Sequence, residues 1–350
     1  MNLNCNLLSI SNDLPYEARS FRFIEFFEAH LSSSLSLLDD DIKSFALQSA
    51  LAGGKRIRPL LVFHFAGRSD VLNDSTLKAS VILEIVHLAS LIHDDILDGA
   101  EIRRNLPSMH EAIGSHAAVL LGDALFGFAL ELASQFPTTR VCSIVSEATR
   151  KTCSGEIRQT FARGRSDLSL DEYLSFINDK TGELFRASCQ IGAYLSGADQ
   201  DTIDLAGEFG LSLGINYQVF DDLIDAFEDP DNSDKSLGSD WETGKMTLPV
   251  ILLRNVATVD EVEVFDHLIR SGRDNKPEEN IRSQTLQLFE KYEILPKCIQ
   301  YFEDSFSRTQ SLIDQFPNIH LRDDLNAFIQ SFTLKFTKLS NLKTSNFLAL

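Results

Sequence analysis

Two copies of one acidic motif constrain this chain more than any other feature of its sequence. The first is Asp94-Asp95-Ile96-Leu97-Asp98 and the second is Asp221-Asp222-Leu223-Ile224-Asp225, and both are embedded in apolar sequence. On an α-helix, residues i and i+4 lie on the same face, so the first and last aspartates of each motif point the same way. Carboxylates clustered on an apolar face repel one another and are costly to desolvate unless a cation neutralises them.

Each motif therefore predicts a site for a hard divalent cation. Hard oxygen ligands favour magnesium, which binds a few carboxylates and fills its remaining positions with water and substrate phosphates. In a chain with 51 acidic residues, a single copy is equally consistent with a solvated helix face. Two copies, preceded by Leu91-Ile92-His93 and by Tyr217-Gln218-Val219-Phe220, do not have a surface context. Two such clusters facing each other would make a cage for a diphosphate bridged by metal ions.

The composition predicts an all-α protein. Hydrophobic residues make up 43% of the 350 residues, with only nine prolines and eighteen glycines among them, which is enough apolar sequence for a sizeable core. Apolar residues recur at helical spacing, as at Leu83, Val86 and Leu91, and no convincing run alternates like a strand. Because no linker rich in proline, glycine or serine is present, we predict one helical domain over residues 1–350, with a loose arm at 1–15.

Local signals predict where the helices begin and end. Helices are expected at about residues 16–30, 35–51, 75–98, 115–135, 138–163, 170–196 and 200–228. Gly53-Gly54 is typical of a helix C-cap, Pro59 suits the first turn of the next helix, and Gly99 is a plausible stop for the helix that carries the first acidic motif. Residues 229–235 are read as a solvated loop or a flap, and residues 255–340 as smaller, more polar helices.

The charge and the cysteines exclude several classes of protein. A formal net charge of −19 argues against nucleic-acid binding and against tight docking on anionic lipid. The five cysteines are widely spread without metal-ligand spacing, which indicates reduced thiols and a cytoplasmic location. The N-terminus shows no signal peptide, and no run reaches the roughly 18 apolar residues of a transmembrane segment.

Within so acidic a chain, clustered basic residues indicate where an anion would bind. The densest cluster is residues 53–59, where glycines let the backbone approach an anion and a helix N-terminus adds partial positive charge. Lys55 and Arg58 lie near one helix face and are candidates for holding a diphosphate, with an ordinary helix start as the alternative. Arg103 and Arg104 offer guanidinium forks for phosphate oxygens, with a local salt bridge as the alternative.

Other polar residues carry weak signals when each is taken alone. His87 lies two turns before Asp94 on the same helix face, where a lone histidine is usually part of the core. Other histidines are read as structural, namely His64, His93, His110 and His116.

In their order and spacing, these residues resemble the trans-polyprenyl diphosphate synthase family over about residues 45–255. The matching segments are Gly-Gly-Lys-Arg-Ile-Arg-Pro at 53–59, the run 84–93 before the first acidic motif, Arg103-Arg104, Gly122-Asp123, Gly155-Glu156 with Gln159, Lys180-Thr181, the run Tyr217–Asp222, and Lys235, Gly238, Asp240, Gly244-Lys245, Thr247 and Pro249. The chain departs from the family pattern at Asn105, where glycine commonly follows the arginine pair, and at Asn216-Tyr217, which replaces an apolar-Phe pair.

The resemblance implies a helical bundle around a central cavity, usually as a homodimer. It implies a Mg²⁺-dependent, head-to-tail condensation of isopentenyl diphosphate with an allylic prenyl diphosphate, with about three metal ions in each site. The implied metal ligands are Asp94, Asp95, Asp98, Asp221 and Asp225. The implied ligands of isopentenyl diphosphate are Lys55, Arg58, His87 and Arg104. The implied contacts of the allylic diphosphate are Arg103, Lys180, Thr181, Gln218, Lys235 and Lys245. Asp222, Arg103 and Lys180 complete the implied catalytic set.

The length of the product would depend on the depth below the first acidic motif. The growing tail would pass Ser90, Ala89 and Val86, which precede Asp94 by four, five and eight residues. None is aromatic, whereas bulky groups at the first two positions resemble a stopper in this family. Their absence suggests a product of twenty carbons or more. Phe126 and Leu130 are alternative candidates for the floor of the cavity.

Two other classes of protein share some of these features. A terpene cyclase or head-to-head condensing enzyme would ionise a similar substrate but would need no isopentenyl diphosphate site, which the basic residues at 53–59 and 103–104 argue against. A non-catalytic subunit of a heteromeric prenyl synthase is expected to have lost part of an acidic motif, and both motifs are intact here.

Overall fold

A computed structural model describes residues 9–227, 244–274 and 280–340. The described residues are mostly helical, with a single two-stranded hairpin among them, which confirms the all-α prediction. The helices up to the second acidic motif are α1 (Tyr16–Leu35), α2 (Asp40–Leu51), α3 (Ile57–Phe65), α4 (Asp74–Asp98), α5 (Met109–Ile113), α6 (Ser115–Ser134), α7 (Arg140–Phe161), α8 (Leu170–Ile177), α9 (Glu183–Leu195) and α10 (Gln200–Phe227). The helices described after it are α11 (Leu248–Arg254), α12 (Val259–Asp274), α13 (Asn280–Lys291), α14 (Ile294–Ile313) and α15 (Ile319–Ser340).

Two short features interrupt the helices. Strands β1 (Ile102–Arg103) and β2 (Leu106–Pro107) pair in an antiparallel hairpin directly after α4. A π-helix, Asn178–Gly182, lies between α8 and α9.

The chain forms two compact units, each made of segments that are separate in sequence. The first unit comprises Met1–Lys151, Glu183–Leu211 and Leu312–Ala327, and the second comprises Thr152–Gly182, Ser212–Ser311 and Phe328–Leu350. The first acidic motif and the basic residues at 53–59 and 103–104 belong to the first unit. The second acidic motif belongs to the second unit. The single domain expected from the sequence stays a prediction.

Helix α4 is the central element of the first unit. It packs against α1, α3, α6 and α9, and it is buried on all sides from Ala79 to Val86, as expected for a helix that is apolar all round. The side chain of Asn73 caps its first turn by accepting a hydrogen bond of 2.9 Å from the Ser75 amide. Gly99 ends it in the left-handed region at φ 64°, as the sequence predicts. These ends place the first acidic motif in the last turns of a helix whose earlier turns are buried.

Helices α4 and α6 are long and apolar enough to span a membrane, judged by length and composition alone. This finding differs from the prediction that no run reaches the length of a transmembrane segment. The α4 window is 72% buried in the first unit, so its apolar residues are accounted for by packing, whereas the α6 window is only 39% buried.

Several predicted boundaries differ from the structure. The second helix begins at Asp40 rather than near residue 35, because α1 continues to Leu35. The helix expected at 170–196 is divided by the π-helix into α8 and α9. The helices expected to be small after residue 255 include α14 and α15, of 20 and 22 residues. The loop expected at 229–235 lies outside the described residues, and so do Lys235, Gly238 and Asp240 of the matching motif.

Candidate active site

The first acidic motif is organised by an ion pair within the first unit. Asp95 is buried, and its two carboxylate oxygens accept hydrogen bonds of 2.6 and 2.7 Å from Arg103 Nε on β1. Burial raises the pKa of the Asp95 carboxyl, and the Arg103 guanidinium opposes that rise. Asp94 and Asp98 are half-buried on the same helix. Asp95 is thus buried and paired with Arg103, whereas Asp94 and Asp98 are more exposed to solvent on the same helix.

The oxygen ligands of the first motif fit magnesium better than a metal ion whose ligands must all come from the protein. Within residues 9–227, 244–274 and 280–340, no three His, Cys, Asp or Glu side chains are already gathered as a metal site. Asp94 and Asp98 supply partly exposed oxygen ligands one turn apart, which suits a cation that completes its shell with water and phosphate oxygens. The metal assignment to Asp94, Asp95 and Asp98 stays a prediction.

The predicted basic residues converge around His87. The pKa of this half-buried imidazole is well below its usual range, first because of burial and then because of the guanidiniums of Arg58, Arg104, Arg103 and Arg56. Arg58 and Arg104 thus lie near His87 in the first unit, and their assignment to one anion site stays a prediction.

The loop before α3 adds backbone to this basic cluster. Gly53 and Gly54 have φ angles of 89° and 156°, which favour glycine. A Cβ atom on Gly54 would lie 3.0 Å from Arg104 Nη1, so this guanidinium lies against the loop. The next residue, Lys55, is exposed. Arg58 lies over the Phe185 ring, with 4.8 Å between the guanidinium carbon and the ring centroid, an arrangement that holds the cation in place.

The residues expected to line the product tail lie in and around the core of the first unit. Val86 and Ala89 are buried, and Ser90 donates a hydrogen bond of 2.8 Å to the His87 carbonyl. Phe126 and Leu130 are partly buried against the same core. The Phe126 ring meets the His93 ring edge to face at 5.7 Å, which places it close to the level of the first acidic motif.

The second acidic motif is organised by hydrogen bonds within the second unit. Asp222 is buried, and it accepts hydrogen bonds from the Tyr173 hydroxyl at 2.6 Å and from Gln218 Nε2 at 2.8 Å. The hydroxyl of Thr181 donates to Gln218 Oε1 at 2.8 Å. Three predicted residues, Thr181, Gln218 and Asp222, thus form one chain of hydrogen bonds. The outer aspartates of the motif, Asp221 and Asp225, are half-buried, and their metal assignment stays a prediction.

Lys180 is held by the π-helix of the second unit. Its ammonium donates to Gln159 Oε1 at 3.0 Å and pairs with the Glu156 carboxylate. A side chain on Gly155 would overlap the backbone of Lys180, so glycine is required where α7 passes the π-helix. π-helices occur frequently at functional sites. Lys245 is half-buried, and Lys235 lies outside the described residues.

Three groups organise these sites although the sequence alone assigns no role to them, since Glu156 appears there only within a matching motif and Arg56 only within the basic run 53–59. Tyr173 holds Asp222, Glu156 holds Lys180, and Arg56 is buried among carboxylates rather than facing a substrate. Each acts through a partner between 24 and 49 residues away in the sequence or through several partners at once, so no local pattern signals it.

Comparison with known proteins supports the order of these motifs. The sequence model of the family described as Polyprenyl synthetase matches residues 40–289. Solanesyl diphosphate synthase 1, chloroplastic, of Arabidopsis thaliana is 34% identical over 69% of this chain and 64% of its own length. The short chain isoprenyl diphosphate synthase of Methanocaldococcus jannaschii is 32% identical over 75% of this chain and 79% of its own length. The chain thus spans a little less than two thirds of the Arabidopsis protein.

A solved structure extends the likeness to the fold. The polyprenyl synthase of Caulobacter crescentus CB15, crystallised with calcium and isoprenyl diphosphate, superimposes with a TM-score of 0.80. It is 27% identical, and the match covers 89% of this chain and 94% of that chain. The family model spans well over half of the chain and includes both acidic motifs, and the chain therefore belongs to the polyprenyl synthetase family.

Proposed function

We propose that this chain is an all-trans-polyprenyl diphosphate synthase, a prenyltransferase that condenses isopentenyl diphosphate with an allylic prenyl diphosphate. One observation carries the proposal. Arg58 and Arg104 lie near His87, Arg104 also lies against Gly54 of the loop before α3, and His87 stands two turns before an intact DDxxD on the same helix. A basic cluster beside an acidic motif supports two neighbouring diphosphate sites, one for each substrate. A condensing enzyme needs both sites because it joins two diphosphate substrates.

In this proposal each acidic motif binds magnesium for the reaction of the allylic diphosphate. Magnesium ions bound at Asp94, Asp98, Asp221 and Asp225 would supply positive charge to the departing diphosphate. Arg103 is placed beside the first motif by Asp95, where it opposes the same negative charge. Cleavage of the allylic carbon–oxygen bond leaves a carbocation, and the apolar walls near Ala89 keep water away from it.

The basic cluster holds the second substrate. Lys55, Arg58 and Arg104 bind the diphosphate of isopentenyl diphosphate, and its double bond attacks the allylic carbocation to form a carbon–carbon bond. A proton then leaves the adjacent carbon for the released diphosphate. The products are diphosphate and an allylic diphosphate five carbons longer, which can enter another cycle. We place its final length at twenty carbons or more, because Ala89 and Ser90 are small.

The test is incorporation of radiolabelled isopentenyl diphosphate by the purified chain with magnesium and a series of allylic primers. We expect products that lengthen in steps of five carbons and disappear with a chelator. Asp98→Asn should abolish incorporation, whereas Glu101→Gln, an exposed acidic residue three positions later, should retain it. Ionisation of the primer without incorporation would instead identify a terpene cyclase or head-to-head condensing enzyme.

We also propose that the chain acts as a homodimer in the cytoplasm. Activity of the purified chain alone would support this assembly. Activity that appears only after a second, different subunit is added would identify the chain as one component of a heteromeric synthase.

A further inference from the structure

Arg56 occupies an unusual position between two predicted substrate ligands. It directly precedes α3 with a left-handed φ of 48°, and it is only 6% exposed. Non-glycine residues are uncommon in this backbone region, and a bulky one there needs a compensating interaction. The neighbouring side chain of Lys55 is exposed, whereas that of Arg56 turns inward.

The Arg56 guanidinium joins three helices to the loop. Its Nε donates to Glu28 Oε1 on α1 at 2.6 Å, and its Nη2 reaches Glu28 Oε2 at 3.2 Å. Nη1 donates to Glu84 Oε1 on α4 at 2.6 Å. Nη2 also donates to the carbonyl of Ala50 on α2 at 2.7 Å. The fixed fork of an arginine suits such a junction, whereas a lysine ammonium cannot reproduce it.

The charges show that Arg56 does not itself bind a diphosphate. Two carboxylates neutralise its single positive charge, and one of them, Glu84, is 6% exposed. Buried ion pairs contribute little net stability compared with apolar residues of similar size. The network therefore calls for an explanation other than stability, and its geometry supplies one.

Glu84 connects the loop to the helix that carries the site. It lies one turn before His87 on α4, so the two side chains lie on neighbouring positions of that helix. We propose that Arg56 and Glu84 are positioning residues that fix the loop of Lys55 and the start of α3, with Arg58, relative to His87. This inference rests on the proposed function, because it concerns the isopentenyl diphosphate site of that reaction.

The test compares the Michaelis constants of the two substrates in Arg56→Lys. We expect the KM for isopentenyl diphosphate to rise about tenfold to a hundredfold, since small misplacements of binding groups have effects of that order. The KM for the allylic primer should stay unchanged, because the acidic motifs are not held by this network. Direct titration of isopentenyl diphosphate by calorimetry should show the same loss of affinity.

Asp324→Asn is the matched control for a purely structural effect. Asp324 is 2% exposed and is paired with Arg19 and Arg68, close to His64 in the last turn of the same helix α3. This variant also breaks a buried ion network, but at the opposite end of α3. It should lower Tm yet leave the KM for isopentenyl diphosphate within about twofold of wild type.

Two results would overturn the inference. One is an equal rise of both KM values in Arg56→Lys, and the other is the same response in Arg56→Lys and Asp324→Asn. If Arg56→Lys does not fold, Glu28→Gln, whose side chain is 37% exposed, gives a milder version of the same test. A wild-type chain that incorporates no isopentenyl diphosphate would instead refute the proposed function itself.

Discussion

The charge of His87 is set by its surroundings. Burial and the guanidiniums of Arg58 and Arg104 both disfavour the imidazolium, so the lowered pKa keeps this ring neutral at pH 7. A neutral ring can still donate one hydrogen bond to a phosphate oxygen. A bound diphosphate would offset the nearby positive charge and raise the pKa of His87.

Because the pKa of His87 is low in the free protein and would rise toward the ordinary imidazole value of about 6.5 beside a bound diphosphate, we expect isopentenyl diphosphate to bind with uptake of a proton at His87 at pH values between those two pKa values. Calorimetric titration in two buffers of different ionisation enthalpy measures this proton. The number of protons taken up by the wild type is compared with the number taken up by His87→Gln. The difference between the two removes the contribution of protons lost by the diphosphate itself. His116→Gln, at an exposed histidine, should behave like wild type. Identical proton uptake in wild type and His87→Gln would contradict the expectation.

Ala89 offers a test of product length. Its side chain is fully buried, five residues before Asp94, and we expect Ala89→Phe to shorten the product because the ring would fill the path of the growing tail. Overpacking a core in this way costs about 1–3 kcal/mol of stability, so folding is checked by circular dichroism. Product chromatography with Ala112→Phe, at an exposed position of α5, provides the control. An unchanged product in Ala89→Phe would refute this path.

Among the elements, the contact between α4 and α6 is the closest to the proposed site. A methyl group on Gly122 would overlap the His93 ring, and His93 Nε2 lies 3.0 Å from the Val119 carbonyl. Glycine therefore allows α6 to approach the helix that carries the first acidic motif. Gly127 lies on the same helix, and a methyl group there would meet no atom within 4 Å.

These two glycines of α6 should respond to alanine in opposite directions. We expect Gly122→Ala to lower the free energy of unfolding by about 1–3 kcal/mol, because His93 must move. Gly127→Ala should raise it by about 0.5–1 kcal/mol, because alanine favours a helix at an open position. Urea unfolding measures both. A stability gain of similar size in both variants would show that helix propensity, and not contact with His93, decides the result.

Local signals predicted much of the fold. The stop at Gly99 and the start of α4 near residue 75 follow from caps, which depend on neighbouring residues only. The π-helix at 178–182 could not be predicted in this way, since it depends on the approach of Gly155 from another helix. The predicted start of α2 is too early. The apolar residues just after Leu35 have a helical spacing, but they lie in the turn between α1 and α2.

The sequence predicts candidate ligands for the proposed site but not the residues that support them. The resemblance implies Arg58, Arg104 and His87 as ligands, and the structure has the two guanidiniums near that imidazole. Arg56 was seen only as part of a basic run, although Glu28 and Glu84 neutralise it. Ion pairs between residues far apart in the sequence leave no local sequence pattern. A count of charged residues therefore cannot show which cations are neutralised in the folded chain.

For the whole molecule, the distribution of charge and apolar surface suggests how it interacts. The chain carries a net charge of −19, and within its first unit Arg58, Arg103 and Arg104 lie near His87, so this cluster offers local positive potential to an anion. Helix α6 keeps exposed apolar residues, with Leu120 67% and Val119 40% exposed. An apolar face of this kind usually marks an interface, and a second copy of the chain is the occupant that the proposed homodimer supplies.

We therefore expect the wild-type chain to have twice its monomer mass by size-exclusion chromatography with light scattering, and Leu120→Glu to yield monomers. A carboxylate buried without a partner at an interface opposes association strongly, whereas one facing water does not. Leu37→Glu is the control, because Leu37 is 75% exposed in the turn after α1, and this variant should remain dimeric. If Leu120→Glu remained dimeric, the dimer interface would have to lie on a surface other than α6. A monomeric wild type that becomes active only with another subunit would replace the homodimer with a heteromeric synthase.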